Sequence, residues 1–244
     1  HADTTTDEFE QGQYLMKYGH YSDNDLKTFA DWPFRCPSWN PLPDGKKNVV
    51  ILGCSHTWGV GLEPEETWAH RVSKHNTDRL RYWNLGQPGA SAEACVRILY
   101  SCEKVLFPKI IIVMWPEISR RERLERSSPR NMMGVDERLR YEDEETDMSN
   151  FLKSVFFLEK FAEKNQCNTF HCFADDKINI PTNHDKPNVF RENTLKKCWP
   201  YWDKFQQRVQ YNDASLAKDG QHYGVEHHKR FAELFLERFA VKLR

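Results

Sequence analysis

The sequence predicts an α/β fold in which a mainly parallel β-sheet of about five strands is covered by helices on both faces. Segments with strand and helix patterns alternate along the chain, as they do where helical crossovers join parallel strands. Two strands, Val49–Leu52 and Ile110–Trp115, are continuously apolar, which is typical of strands buried on both faces. The 244 residues are 39% apolar and 13% aromatic, enough to bury a sizeable core.

Residues 1–47 are predicted to form an arm that lies over a main domain of residues 48–244. Thr6–Tyr18 is acidic and helix-like, whereas Asp31–Pro41 contains three prolines that prevent regular structure. A turn then leads into the first strand.

Four elements are predicted in the first half of the main domain. Asn48–Cys54 and Arg81–Leu85 have the composition of strands. Pro64–Val72 is predicted to be a helix, because proline is tolerated in a first turn and the acids after it suit a helix N-terminus. Ala92–Leu106 is predicted to be a helix with one apolar stripe. This stripe consists of Cys95, Ile98, Leu99, Cys102, Val105 and Leu106.

Four more elements follow in the second half. Lys109–Trp115 and Asn168–Phe173 are predicted strands, and Phe151–Glu163 and Tyr223–Phe239 are predicted helices. Apolar residues at helical spacing are Phe151, Val155, Leu158 and Ala162 in the first helix and Phe231, Phe235 and Phe239 in the last.

Two charged runs interrupt this alternation. Ser119–Arg130 contains five arginines, and Asp136–Asp147 contains seven acidic residues. Because the opposite charges nearly cancel, the runs are interpreted as a solvated excursion and not as a nucleic-acid site.

Composition excludes several classes of function. Lys and Arg number 35 against 36 Asp and Glu, a net charge of −1, which argues against nucleic-acid and membrane-surface partners. No apolar run is long enough to span a membrane, and no signal-peptide pattern is visible. The seven cysteines match no zinc-ribbon or small-scaffold spacing, so no metal is predicted and the thiols are expected to be reduced. The predicted location is cytoplasmic or virion-associated.

The residues that follow each strand are the informative ones, because ligands of open α/β sheets bind beyond the carboxyl ends of the strands. After the first strand, Gly53–Gly59 places Ser55 at a strand-to-helix turn flanked by small residues. Such a turn projects the hydroxyl, and the helix N-terminus offers backbone N–H groups to a developing oxyanion.

Two further motifs complete this pattern. Asn84–Ser91 is a glycine-rich turn after the second strand, and Asp219-Gly-Gln-His222 precedes the last helix. A histidine three residues after an aspartate can be held over a serine with the carboxylate behind the imidazole. Taken singly, each motif also fits ordinary turn or capping chemistry. Together they indicate a serine nucleophile with a His–Asp pair.

The three motifs resemble those of the SGNH (GDSL-type) hydrolases, over about residues 48–240. They read Gly-x-Ser-x-Thr-x-Gly from Gly53, Asn-x-Gly-x-x-Gly from Asn84, and Asp-x-x-His from Asp219. The resemblance is closest to the variant with cysteine before the nucleophile, which is associated with predicted proteins of large tailed bacteriophages.

This resemblance implies a flavodoxin-like three-layer α/β/α sandwich and hydrolysis of acyl or acetyl esters without a cofactor. Ser55 matches the nucleophile and the first oxyanion amide, and Gly89 matches the second oxyanion donor. Asp219 and His222 match the other two members of a catalytic triad.

One block departs from the family pattern. The family has Gly-x-Asn-Asp after the third strand, with the asparagine as third oxyanion donor, but Met114–Arg120 contains no asparagine. Glu117 cannot replace it while ionised, because a carboxylate opposes a forming oxyanion. Ser119, Arg120 or Arg121 can donate instead, an arginine through a charge-assisted bond. The departure leaves open a weak or inactive site.

Other side chains have competing interpretations. Cys54 adjoins Ser55 and can be read as a thiol nucleophile, but a buried packing role is favoured. His171 stands near Cys167 and Cys172, yet strand alternation places His171 and Cys172 on opposite faces, which argues against one metal site. His56 is a candidate pocket residue, as are Glu117, Ser119 and Arg120.

Histidines and tryptophans outside the motifs are also ambiguous. Only one of His227 and His228 is expected to face the sheet, so this pair is predicted to be a surface feature. Aromatic packing is favoured over stacking on sugar rings for five tryptophans. These are Trp32, Trp39, Trp58, Trp83 and Trp115.

The sequence thus favours a serine esterase acting on a small ester or an acylated carbohydrate through an acyl-serine intermediate. Two alternatives stay open: an acyltransferase that uses the same triad, and an SGNH-fold binding or structural protein, virion-associated for example. The sequence indicates no oligomeric state.

Overall fold

A parallel β-sheet forms the middle layer of the protein, whose computed structural model describes residues 34–36, 44–124, 129–132, 144–173, 209–210 and 215–243. The sheet consists of the strands β1 (Lys47–Gly53), β2 (Leu80–Asn84), β3 (Ile110–Trp115), β6 (Asn168–Phe173) and β7 (Val209–Gln210). Their order in the sheet is β2-β1-β3-β6-β7, and all neighbours run parallel. The predicted α/β class with about five strands is confirmed.

The register of the central strands places their carboxyl ends at one edge. Gly53 at the end of β1 is paired with Met114 of β3, and Ile51 of β1 is paired with Asn84 at the end of β2. The segments that follow these three strands therefore leave the sheet side by side.

Five helices accompany the strands in the described residues. They are α1 (Ser55–Trp58), α2 (Trp68–Ser73), α3 (Ala92–Leu106), α4 (Glu144–Asn165) and α5 (Val225–Phe239). α3 has the bounds expected from its apolar stripe, although Val105 is 38% exposed because it lies at the edge of the stripe in the last turn. α4 begins seven residues earlier than predicted, at Glu144 in place of Phe151.

The predicted Pro64–Val72 helix is divided in two. Pro64–Glu66 forms a 3₁₀ turn, and Thr67 then adopts an extended backbone conformation. The Thr67 hydroxyl accepts a hydrogen bond from the His70 N–H, so it caps the start of α2. A strong N-cap residue inside the predicted helix thus starts a second one.

Each face of the sheet has its own core. Val50 and Leu52 of β1 pack with α3 and α4 on one face, whereas Val49 and Ile51 pack with α2 and α5 on the other. This alternation confirms a strand buried on both faces. With helices on both sides of the sheet, the protein is a three-layer α/β/α sandwich.

Small parts of the arm and of the charged runs are described. Phe34 is buried against the α3–α4 core, and the Arg35 guanidinium lies 3.7 Å above the Trp58 ring. The rest of the predicted arm, with Trp32 and Trp39, lies outside the described residues. Within the arginine-rich run, β4 (Arg121–Leu124) and β5 (Pro129–Met132) form an antiparallel pair. None of the described helices has the length and apolar character needed to cross a membrane.

Candidate active site

Ser55 is the first residue of α1, directly beyond the end of β1, and only 5% of its surface is exposed. The tight turn depends on Gly53, whose φ is +156°. A Cβ atom at Gly53 would lie 2.1 Å from Thr57 Oγ1 and 2.7 Å from the Met114 carbonyl oxygen. Only glycine fits here, so a backbone constraint fixes the position of Ser55 at the sheet edge.

The segment after β2 is hydrogen-bonded to the Ser55 turn. Asn84 Nδ2 donates to the Thr57 carbonyl and Asn84 Oδ1 accepts from the Gly86 N–H, both at 3.0 Å. The Gln87 N–H donates to the Gly53 carbonyl at 3.0 Å. The sequence motif contains Asn84 but does not show this function, since its partners depend on how β2 lies beside β1.

Gly89 lies further along the same segment, with φ +76°. The turn that contains it is closed by a hydrogen bond from the Ala90 N–H to the Gln87 carbonyl, at 3.0 Å. The structure thus places Gly89 in a glycine-dependent turn that is anchored to the Ser55 turn through Gln87.

Asp219 and His222 are brought together on a short loop before α5. Asp219 Oδ2 lies 2.5 Å from His222 Nδ1. Asp219 Oδ1 accepts hydrogen bonds from the backbone N–H groups of Gln221 and His222, both at 3.0 Å. An antiparallel bridge between Leu216 and Tyr223 closes the loop. The imidazole is therefore held by a carboxylate that is itself fixed to the backbone.

Burial of the Asp219 carboxyl favours its neutral form, but hydrogen bonds from the backbone of His222 and Gln221 and from the His222 ring outweigh burial. The pKa of Asp219 consequently lies below its usual value. Because an ionised carboxylate only accepts hydrogen bonds, Nδ1 of His222 carries the proton. In neutral His222, Nε2 is then free to accept a proton.

The loop with Asp219 packs against the chain that leaves α1. A Cβ atom at Gly61, whose φ is +79°, would lie 2.9 Å from Ala217 Cβ and 3.3 Å from Asp219 Cγ. The ring of His56, the neighbour of Ser55, has its centroid 5.3 Å from that of His222. The structure therefore brings the Ser55 turn and the Asp219–His222 loop together. Like the hydrogen bonds of Asn84, this contact of Gly61 was not predicted from the sequence. The only signal was a glycine six residues after Ser55.

His56 is buried beside this pair. The centroid of its ring lies 4.9 Å from that of the Tyr223 ring. Its Nδ1 atom has no hydrogen-bond partner among the described residues. Burial, followed by the positive charges of His222 and Arg120, lowers the pKa of His56 to about 3. His56 is thus a neutral imidazole at the candidate site.

The expectation that His227 and His228 form a surface feature is wrong, because each is only 2% exposed. His228 Nδ1 accepts a hydrogen bond from the Trp68 N–H at 3.0 Å. The His227 ring stacks on the Tyr223 ring, with 3.9 Å between the ring centroids. α5 packs on both the sheet and α2, so a wider part of its surface is buried than one helical stripe. Burial lowers the pKa of His228 well below its usual value.

The candidate side chains on the segment after β3 differ in how far they are exposed to solvent. The Glu117 side chain is 64% exposed, whereas that of Arg120 is 15% exposed. Ser119 is half-buried. Arg121 donates to the Ile118 carbonyl at 2.9 Å and forms an ion pair with Asp147.

Cys54 and His171 are both buried in the protein interior. Cys54 is buried in the α3–α4 core, which confirms the packing interpretation. His171 Nδ1 accepts from the Trp115 indole N–H at 2.9 Å, and His171 Nε2 lies 2.8 Å from a Glu159 carboxylate oxygen. Cys172 packs in the opposite core, so the predicted alternation with His171 is confirmed.

No family model matches the chain, and no curated protein matches its sequence. Solved structures do match its fold. The psychrotrophic esterase EstA from Pseudoalteromonas sp., inhibited by monoethylphosphonate, superposes with a TM-score of 0.51 at 12% identity, covering 81% of this chain and 99% of EstA. A carbohydrate esterase family 2 enzyme with a carbohydrate binding domain, from Corynascus thermopiles (Myceliophthora fergusii), has a TM-score of 0.51 at 14% identity, covering 85% of this chain and 69% of that enzyme. At these identities the matches establish a shared fold.

Proposed function

We propose that the protein is a serine esterase that hydrolyses short acyl esters, with Ser55, His222 and Asp219 as its catalytic triad. The observation that carries the proposal is the Asp219–His222 pair, joined at 2.5 Å on a loop that packs against the chain leaving the Ser55 turn. The pair fixes the tautomer in which His222 Nε2 is a proton acceptor. The fold shared with two esterases supports the same reaction class.

In the first half-reaction, Ser55 Oγ attacks the ester carbonyl carbon while His222 Nε2 takes the hydroxyl proton. The electron pair of the carbonyl bond moves onto oxygen, and the backbone N–H groups of Ser55 and Gly89 stabilise that oxyanion. The Asp219 carboxylate stabilises the imidazolium without taking its proton. His222 then donates the proton to the leaving alcohol, and an acyl-serine remains.

In the second half-reaction, water attacks the acyl-serine and His222 again acts as general base. The same oxyanion donors stabilise the second tetrahedral intermediate. Collapse returns the proton to Ser55 Oγ and releases the carboxylic acid. No step needs a cofactor, because the protein supplies the nucleophile, the base and the oxyanion donors.

Acetyl esters of carbohydrates are the substrates we propose first, by likeness to the carbohydrate esterase. Those candidate tryptophans that the structure describes add no support. Trp58, Trp83 and Trp115 are buried, and Trp115 donates to His171, so they pack as the favoured interpretation expects and do not offer faces to sugar rings. Specificity for carbohydrate therefore depends on other residues, and an ester panel with sugar and simple alcohols tests it.

Replacement of Ser55 by alanine tests the nucleophile. We expect Ser55→Ala to lower kcat for a short-chain nitrophenyl ester by about 10⁴-fold or more, since the triad acts as a unit. Monoethylphosphonate-type reagents should label Ser55 in the native protein and leave the variant unmodified. Ser101→Ala is the matched control, because Ser101 is exposed on α3 and its hydroxyl donates to the backbone carbonyl oxygen of Arg97 in the same helix.

Undiminished turnover in Ser55→Ala would exclude this mechanism. Absence of both labelling and hydrolysis in the native protein would favour the alternative of a binding or structural protein, which the missing asparagine in Met114–Arg120 motivates. Transfer of the acyl group to an added sugar at the expense of hydrolysis would favour an acyltransferase.

A further inference from the structure

Arg120 lies on the segment that follows β3, the neighbour in the sheet of the strand that ends at the Ser55 turn. β1 and β3 are adjacent and parallel, with Gly53 paired to Met114, so the chains leaving these strands start about 5 Å apart. The Arg120 N–H donates to the Glu117 carbonyl at 3.1 Å. This bond closes a turn from Glu117 to Arg120 directly after the end of β3.

The Arg120 guanidinium has unused hydrogen-bonding capacity. Its Nη1 atom is buried and has no hydrogen-bond partner among the described residues. Within the part of the chain that the structure describes, Arg120 forms an ion pair with Glu117, whose carboxylate oxygen lies 4.0 Å from Nε on a side chain that is 64% exposed. An exposed pair at this distance neutralises little charge. A buried donor without a partner is costly, and a catalytic role is one of the reasons for which a folded protein keeps such a group.

The charge of Arg120 reaches the Ser55 turn. It is among the causes that lower the pKa of His56, after burial and His222. His56 directly follows Ser55 and its ring lies 5.3 Å from that of His222. The guanidinium is therefore within electrostatic reach of the residue that follows Ser55.

The structure separates Arg120 from the neighbouring candidates. The Arg121 guanidinium is already engaged by the Asp147 carboxylate and by the Ile118 carbonyl. Glu117 is an acceptor and is largely exposed. Arg120 is thus the cationic donor of this segment with capacity for a further hydrogen bond.

We infer that Arg120 is a catalytic residue that donates a charge-assisted hydrogen bond to the ester oxyanion, in the place where the resembled family has an asparagine. This inference rests on the proposed function. As Ser55 Oγ bonds to the carbonyl carbon, the carbonyl electron pair moves to oxygen, and Arg120 donates an N–H to that oxygen while keeping its proton. The bond is stronger in the transition state than in the ester, because the charge forms only there.

The test compares Arg120→Gln, Arg120→Lys and Arg120→Ala with the native protein on a short-chain nitrophenyl ester. We expect Arg120→Gln to lower kcat by about 10²–10³-fold with little change in KM, the usual loss for one oxyanion donor. Arg120→Lys should keep part of the rate, and guanidinium ions should restore part of it to Arg120→Ala. Arg230→Gln on α5 is the matched control, since Arg230 pairs with Glu233 and Glu237 on the surface.

Native kcat in Arg120→Gln would overturn the inference. So would a rise in KM limited to anionic esters, which would make Arg120 a recognition group for substrate charge. Unfolding of Arg120→Gln, with neither partial activity in Arg120→Lys nor rescue by guanidinium, would assign it a structural role. In each case phosphonate labelling of Ser55 in the native protein leaves the proposed function intact. If native protein neither hydrolyses esters nor becomes labelled, both proposals fail together.

Discussion

The Asp219 carboxylate accepts three hydrogen bonds, two from backbone N–H groups and one from His222. The two backbone bonds hold one oxygen, so the other oxygen is directed at the imidazole. This arrangement separates two tasks that the proposed mechanism assigns to Asp219: fixing the loop and fixing the histidine tautomer. Each task uses a different oxygen, and a substitution can therefore remove one while preserving the other.

Asp219→Asn makes that separation measurable. The asparagine Oδ1 can still accept from Gln221 and His222, while its amide nitrogen would donate to His222 Nδ1 and leave Nε2 protonated. We expect kcat to fall by about 10⁴-fold, because Nε2 can no longer take the serine proton. Ester kinetics and thermal unfolding measure the two effects. Asp78→Asn, at an exposed turn position, is the control, and an equal loss there would refute the assignment.

At the scale of elements, Gly61 decides how closely two loops approach. Its φ of +79° favours glycine, and a side chain there would meet Ala217 and Asp219. The chain leaving α1 can therefore pack directly on the Asp219 loop. This contact keeps the Ser55 turn and the loop with His222 close together. Close approach between backbone segments, not a long-range charge effect, sets this part of the site.

Gly61→Ala should therefore destabilise the protein and reduce esterase activity together. Gly45→Ala is a strong control, because Gly45 has a similar φ of +74° but nothing within 4 Å of an added Cβ. We expect the control to cost about 1 kcal/mol from backbone strain alone. Gly61→Ala should cost more in urea unfolding and also lower kcat. Equal unfolding losses with native activity in both variants would contradict the packing argument.

At the scale of the whole molecule, two neutral histidines are buried where α5 meets α2 and the Ser55 turn. His228 accepts from the Trp68 N–H, and His56 lies against Tyr223. Burial lowers the pKa of both, that of His56 to about 3. Protonation of either imidazole would therefore destabilise the packing of α5 against α2 and the Ser55 turn.

Stability should consequently decrease as the pH falls. Below the unfolded histidine pKa of about 6.5, the unfolded chain binds protons that the folded protein does not. The free energy of unfolding therefore decreases by about 1.4 kcal/mol per pH unit for each histidine until the folded pKa is reached, which for His56 is about 3. Urea unfolding between pH 7 and pH 4 measures this slope. His56→Gln should make the slope shallower. His75→Gln, at a half-buried position outside the site, is the control variant. An unchanged slope in His56→Gln would contradict the assignment.

Local patterns in the sequence were sufficient for much of the architecture. The continuous apolar runs of β1 and β3, the stripe of α3 and the order of elements follow from periodicity and residue type, which act between near neighbours. The same holds for the positions of Ser55, Asp219 and His222 beyond strand ends or before α5, because turn residues mark where elements stop.

Packing between distant segments decided the rest. The burial of His227 and His228, the two bonds of Asn84 and the contact of Gly61 with Asp219 all depend on which surfaces meet in space. The state of Arg120, a buried guanidinium nitrogen without a described partner, has no signature in its neighbouring residues. Burial and hydrogen bonding are properties of a residue's three-dimensional surroundings, so chain-local patterns cannot specify them.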